Sequence, residues 1–233
     1  MIELLKTIEF EPFLLSFKLA GLTTLILLVL SIPLAWYISQ SKSRSKPYLE
    51  AVTALPLVLP PSVLGFYILV VLSVNSPIGI FFDEVFDVKL VFNFSGLVVA
   101  SCFYSLPFMV QPLQGGFESL NKNMIEASYI SGKSTFETVV KIALPNMKPA
   151  LLTAIIVTFA HTVGEFGVVL MVGGSIPGET KVASVAIYEF VEVMDYSSAH
   201  IYSAIMVIIS FLVLLSVYIF NHKQNQKFGG LHR

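Results

Sequence analysis

Glu126-Ala127-Ser128-Tyr129-Ile130-Ser131-Gly132, followed after nine residues by Ile142-Ala143-Leu144-Pro145, is the stretch on which the reading of this chain turns. Asn121 or Asn123 can cap a helix that begins near Met124. Gly132 offers the positive φ that ends such a helix. Pro145 starts the next element. Ala127 and Ser128 are small enough to let another protein surface approach closely. A short helix tied to its neighbours by such turns can transmit a rigid-body push.

Composition says where that helix sits. Hydrophobic residues make up 55% of the 233 positions and charged residues only 12%, and mean hydropathy is +0.81. A soluble domain carries about 25% charged residues. Half that number leaves too little polar surface to cover a globule in water. A soluble enzyme, a nucleic-acid binder and a disordered chain are excluded, so an integral membrane protein with several spans is expected. The net charge of -1 names no partner, and the single cysteine, Cys102, forms neither an internal disulfide nor a cysteine-based metal site. Residues 1–12 hold Glu3, Glu9 and Glu11 against only Lys6, and the apolar run that follows is too long for a signal peptide.

A bilayer core of ~30 Å takes roughly 20 apolar helical residues. Five segments qualify, at about 13–38, 50–74, 94–114, 149–172 and 200–220. The fold class expected is an all-α polytopic bundle in one domain over 1–222. It contains a cytoplasmic loop at 115–148 and ends in a cytoplasmic tail at 223–233. Lysine and arginine set the orientation. Ten (Lys42, Arg44, Lys46, Lys122, Lys133, Lys141, Lys148, Lys223, Lys227, Arg233) fall on one side and four (Lys6, Lys18, Lys89, Lys181) on the other or near it. The basic side is expected in the cytoplasm, with the amino-terminus outside and the carboxy-terminus inside. The outer loop at about 173–199 opens Gly173-Gly174-Ser175-Ile176-Pro177-Gly178 and continues with apolar and charged residues at helical spacing. A short amphipathic helix at the outer surface is expected there.

The quoted stretch resembles the EAA loop of ABC-importer permeases: Glu-Ala-Ala, three residues, Gly, nine residues, Ile-x-Leu-Pro. Ser128 for the second alanine is the one departure. The resemblance implies an ABC-importer permease (MetI-like) fold, with Glu126, Ala127, Ser128, Gly132, Ile142, Leu144 and Pro145 forming a coupling helix that docks on an ATP-binding partner subunit. Residues 127–134 also fit a relaxed phosphate-binding loop. Such a loop needs a buried strand before it, and Asn121–Glu126 supplies none.

Two further stretches narrow the resemblance. Leu55-Pro56-Leu57-Val58-Leu59-Pro60-Pro61-Ser62-Val63-Leu64-Gly65-Phe66 looks like the second core helix of molybdate permeases. Gly164-Glu165-Phe166-Gly167, with Ile176-Pro177-Gly178-Glu179-Thr180, is similar to the molybdate and sulfate branch. The resemblance implies passage of a tetrahedral oxyanion, molybdate first and tungstate, sulfate or thiosulfate next, handed over by an external binding protein at the membrane of a bacterium or archaeon. The permease itself does no covalent chemistry and needs no cofactor or metal, since ATP hydrolysis belongs to the partner.

The residues add pathway candidates of their own. Pro56, Pro60 and Pro61 remove backbone donors within one span, and broken backbone in a membrane is tolerated only against protein or a water-filled path. Glu165 is the one acidic residue well inside a span, ~24 Å up it at 1.5 Å per residue. Pairing with Lys18, a hydrogen bond to His161, stabilising a gate at the Gly164–Gly167 kink beside Phe166, or a purely structural role are its expected uses. Gly173, Gly174, Pro177 and Gly178 are candidates for outer-face docking, and the N–H groups at Gly173-Gly174 for contact with an anion. Ala150, Ala154 and Thr158, Ala160 and Gly164, and Gly96 and Ala100 form small-residue faces for close helix approach in lipid. One coupling loop per chain implies a homodimer with the pathway on its two-fold axis, or a heterodimer with a related permease. A secondary transporter using Glu165 and His161 is the distant alternative.

Overall fold

The computed structural model describes residues 9–229. Glu3, Lys6 and Arg233, which enter the charge counts above, lie outside them, as do the side chains of Lys223 and Lys227 in the expected tail. Every regular element among the described residues is helical. In chain order these are α1 (Glu11–Gln40), α2 (Lys46–Val58), α3 (Pro61–Leu72), α4 (Pro77–Phe86), α5 (Phe94–Glu118), α6 (Lys122–Ile130) and α7 (Thr135–Thr138). A π-helical turn (Val139–Ala143) leads to α8 (Leu144–Asn146), α9 (Lys148–Gly164), α10 (Gly167–Gly173), α11 (Ala183–Glu192) and α12 (Tyr196–Gly229).

Three of these, α1, α5 and residues 196–215 of α12, are each long and apolar enough to cross a membrane unaided. The core is α1, α5 and α9 packed side by side. In hydrocarbon, burying an apolar side chain only exchanges lipid for protein, so close packing of small residues drives association. Ala20, Thr23, Thr24, Ser31 and Ala35 of α1, Ala100, Ser101 and Ser105 of α5, and Ala154 and Thr158 of α9 are all buried. At the end that carries the α6 loop, Trp36 meets Phe117 edge to face with ring centroids 5.1 Å apart. By contrast, 11% of the α12 window is buried, which leaves that helix free to face lipid or another chain.

The expected second span, 50–74, is not one rod. α2 and α3 are bent by 112° at their junction. The cause is local. A residue before proline is pushed into extended backbone, and both Leu59 (φ -72, ψ 135) and Pro60 (φ -55, ψ 137) precede one. Pro61 then opens α3 at its first turn, where its missing N–H costs nothing. At 1.5 Å per residue neither half alone reaches across a ~30 Å core.

The expected fourth span, 149–172, is interrupted too. α9 stops at Gly164, Glu165 is extended (φ -72, ψ 138), and α10 restarts at Gly167. The approach to α9 bends by 87° after Asn146. Proline cannot donate and its ring crowds the carbonyl four residues back. The chain around Pro145 responds by widening: the Leu144 N–H reaches back to the Val139 carbonyl, a five-residue step. The loop at 173–199 holds only the 10-residue α11, too short to cross a membrane.

Candidate functional site

The loop at 115–148 carries two capped helices and a glycine turn. Asn121 caps α6, its side chain accepting the Asn123 N–H at 2.9 Å, so Asn121 and not Asn123 is the cap. Gly132 has φ +76 and closes the helix. Ser134 and Glu137 form a reciprocal capping box at the start of α7. The N–H groups of Gly132 and Lys133 donate to Tyr129 and Ser128 carbonyls at 2.9 and 3.2 Å. A phosphate cradle needs those donors free, and here they terminate a helix.

The face that α6 offers differs from the one expected. Ile125 and Ser128, three apart, point inward and are buried. The Ser128 hydroxyl lies 2.7 Å from that of Thr138 in α7. Ser128 therefore does not open the helix to a partner; it fastens it to its own chain. Glu126, Ala127, Tyr129 and Ile130 face outward, and Ile130 is 88% exposed. Phe136 is 76% exposed nearby in sequence. These exposed apolar side chains escape a sequence reading, because apolar residues in a helix are normally assigned to the buried face. Beside α6 a cavity of about 460 Å³ is lined by Lys42, Lys46, Lys122, Glu118, Glu126 and Tyr129, among others. Lys46 is held in place there by Glu118 at 2.9 Å. Ile142, Leu144 and Pro145 lie in the widened turn and α8 and aim the chain into α9.

The two helix breaks meet each other. A Cβ added to Gly167 would stand 2.8 Å from the Pro61 Cβ, and one on Gly65 would stand 2.9 Å from the Met171 Cβ. Only glycine lets α10 lie this close to α3. Pro60, Pro61, Phe166 and Gly167 are thus brought to one place, while Pro56 lies within α2. Gly164 is exposed with open space at its Cα, so the Ala160–Gly164 pair is not a packed face within the chain.

Glu165 has neither of its expected side-chain partners. Lys18 sits over the Phe94 ring, its Nζ 4.6 Å from the centroid. His161 stacks on Phe108 with centroids 3.7 Å apart, and its Nδ1 lies 3.3 Å from the Ser105 hydroxyl. The Glu165 Oε1 instead accepts the Val168 N–H at 3.1 Å, capping α10. Its main-chain carbonyl accepts from the Ser184 hydroxyl of α11 at 2.7 Å. Ser184 carries no signal in the sequence; only folding brings it to the break.

In the turn after α10, the N–H of Gly174 donates to the Leu170 carbonyl at 2.9 Å and is not free for an anion. The turn after it is tied by Thr180, whose hydroxyl donates to the Gly173 carbonyl at 2.8 Å and accepts from Ile176 N–H at 2.9 Å. Pro177 and Gly178 project from this turn and are exposed. The expected amphipathic helix is α11: Ala183, Val185 and Ala186 are buried, and Tyr188 and Val191 are exposed. Among the described residues no group of histidine, cysteine and carboxylate side chains is arranged to hold a metal.

The model of the family described as binding-protein-dependent transport system inner membrane component matches residues 20–229. The chain is 48% identical over 204 residues to the molybdenum transport system permease protein ModB of Azotobacter vinelandii, covering 88% of this chain and 90% of that one. It is 32% identical over 208 residues to the putative molybdenum transport system permease protein YvgM of Bacillus subtilis, covering 89% and 92%. The sulfate transport system permease protein CysT of Escherichia coli is 30% identical over 189 residues, covering 81% and 68%. Two solved structures share the fold: the methionine ABC transporter in inward-facing conformations, with TM-score 0.70, 14% identity and coverage of 90% and 92%, and a bacterial alginate ABC transporter with its periplasmic protein, with TM-score 0.73, 16% identity and coverage of 97% and 82%.

Proposed function

Because the chain belongs to the family of binding-protein-dependent transport system inner membrane components, a family of non-catalytic permease subunits, we propose that it is the permease of an ABC importer for molybdate. The single observation that carries the substrate is the 48% identity to a molybdenum permease over nearly the whole of both chains. The 30% identity to a sulfate permease keeps sulfate, thiosulfate and tungstate as the competing cargoes.

An ATP-binding subunit docks on the outward face of α6, with Glu126 and Ala127 against its surface and Ile130 as an apolar anchor. Hydrophobic anchors seated in a partner's pocket carry most of an interface's energy. ATP binding then moves α6, and through Gly132, Ile142, Leu144 and Pro145 the push reaches α9. The anion passes beside the two helix breaks, at Pro56–Pro61 and at Gly164–Gly167, where Glu165 holds the restart of α10. An external oxyanion-binding protein docks on the outer face, at the turn carrying Gly173, Gly174, Pro177 and Gly178.

Two copies pair about a two-fold axis in the lipid bilayer, each contributing one α6. The largely uncovered face of α12 supports such pairing. The amino-terminus lies outside and the carboxy-terminus in the cytoplasm, as the ten-to-four distribution of basic residues favours. In this topology the residues of one domain, 1–222, cross the membrane at about 13–38, 50–74, 94–114, 149–172 and 200–220. The bent α2–α3 pair counts as one broken crossing.

Radiolabelled molybdate uptake in cells with and without the gene, challenged by excess sulfate and by excess tungstate, tests the substrate. Gene-dependent uptake that resists sulfate and yields to tungstate is expected. Loss of uptake under modest sulfate moves the chain to sulfate import. Co-purification of two differently tagged copies from one membrane tests the homodimer.

A further inference from the structure

The outer helix α11 is joined to the break between α9 and α10 at two points. The Ser184 hydroxyl donates to the Glu165 carbonyl at 2.7 Å. One turn on, Tyr188 packs against Phe166 with ring centroids 4.8 Å apart. Glu165 and Phe166 are the two residues that leave helical backbone. A carbonyl at a helix end has no partner within its helix, so the hydroxyl from α11 supplies the missing bond at the point where α9 stops.

The other side of the break is fixed just as closely. The Glu165 carboxylate caps α10 through Val168 N–H. Gly167 of α10 lies against Pro61 of α3, and Gly65 of α3 against Met171 and Val168 of α10, with no slack for a methyl group. A displacement of α11 is therefore delivered to the break, and from the break through α10 to the start of α3, where the second helix break lies. At the same end of α11, next to Ser184, the Ala183 N–H donates to the Ser16 hydroxyl of α1 at 2.9 Å, and Lys181, just before the helix, pairs with Glu189 farther along it. This end of α11 is thereby tied both to α1 and to the break.

We propose that Ser184 is a positioning residue that links the outer helix α11 to the α9–α10 break, so that a partner docking outside biases the state of both helix breaks. This rests on the reading of the chain as a binding-protein-dependent importer. Coupling between distant sites requires a two-state element that both ends can bias; the unwound Glu165-Phe166 pair is that element.

The test uses proteoliposomes holding the permease with its ATP-binding subunit, with ATP hydrolysis measured with and without molybdate-loaded binding protein. For Ser184→Ala, basal hydrolysis stays within about 2-fold of wild type, while stimulation by the loaded binding protein falls by roughly 2- to 30-fold, the span expected of positions that modulate coupling. Ser184→Thr, which keeps the hydroxyl, restores stimulation. Full stimulation in Ser184→Ala overturns the proposal. So does an equal fall in basal and stimulated rates, which marks a merely structural role. If Ser184→Ala does not assemble, Tyr188→Leu, which removes the ring from Phe166 and leaves the backbone contact, is judged by the same two rates. A wild-type complex that ignores the loaded binding protein, while both variants assemble, defeats the importer reading itself rather than the linkage.

Discussion

The Ser128 and Thr138 hydroxyls, ten residues apart in the chain, lie 2.7 Å apart and buried between α6 and α7. This one bond clamps α6 onto the segment that leads back to α9. Ser128→Ala leaves the Thr138 hydroxyl unpaired, and an unmade buried hydrogen bond costs about 1–3 kcal/mol. The expected result is a lower Tm in detergent, with the ATP-binding subunit still co-purifying. Ser128→Leu adds bulk to the same site and is expected to abolish co-purification.

Ile130 tests the outward face separately. It is 88% exposed, so Ile130→Asp changes the stability of the isolated permease by no more than about 0.5 kcal/mol, as surface changes do. Pull-down of the ATP-binding subunit is expected to fall by at least ten-fold, which is about 1.4 kcal/mol. Unchanged pull-down would move the docking surface elsewhere.

Glu165→Gln keeps an oxygen to accept the Val168 N–H, whereas Glu165→Ala removes it. Losing a capping side chain costs about 1 kcal/mol. Glutamine is expected to transport at near wild-type rates and alanine several-fold more slowly. A glutamine variant that melts normally and does not transport would show that the charge itself is required.

Gly167→Ala places a methyl 2.8 Å from the Pro61 Cβ. Overpacking of this kind costs about 1–3 kcal/mol. Lower Tm together with slower uptake is expected, since α10 and α3 must part to admit the methyl group. Replacing Gly21, which has open space around it, is expected to change neither.

Acid acts on the segment from the turn after α10 to α11. Burial works to raise the Glu189 carboxyl, but the Lys181 ammonium, hydrogen-bonded to it and opposite in charge, outweighs this and holds the group below its ordinary 4.5. A depressed carboxylate stabilises the fold above its unfolded value, and that contribution fades as pH falls through the folded one. The pair is constant near neutrality, and its contribution shrinks from about pH 4.5 downward. In melting curves taken from neutral pH to acid, Glu189→Gln is expected to lose less Tm than wild type below that point.

The prolines and glycines were the readable part of the breaks. Leu59 and Pro60 are extended because each precedes a proline, and that rule needs no tertiary contact. The 112° bend is another matter, since proline marks where a helix ends and not the direction in which the next one leaves. Gly132 and Asn121 were legible for the same local reason. Ser128 was not: its spacing from Ile125 puts both on one face, but only packing against α7 decides that this face is the inner one.

Charge inside the membrane was the least legible feature. Lys18 and Glu165 invite pairing on paper because an unpaired charge in lipid is costly. Folding gives Lys18 the Phe94 ring and Glu165 a backbone N–H instead. The sequence by itself determined the helical membrane class, the cap and glycine stop of α6, and where prolines and glycines interrupt the second and fourth spans, because each follows from composition or from the backbone chemistry of adjacent residues. Only the tertiary structure decided which face of α6 is free, that the two breaks pack on each other through Gly167 and Gly65, and that Ser184 reaches the Glu165 carbonyl. Those are contacts between residues distant in the chain, fixed by helix packing rather than by local backbone preference.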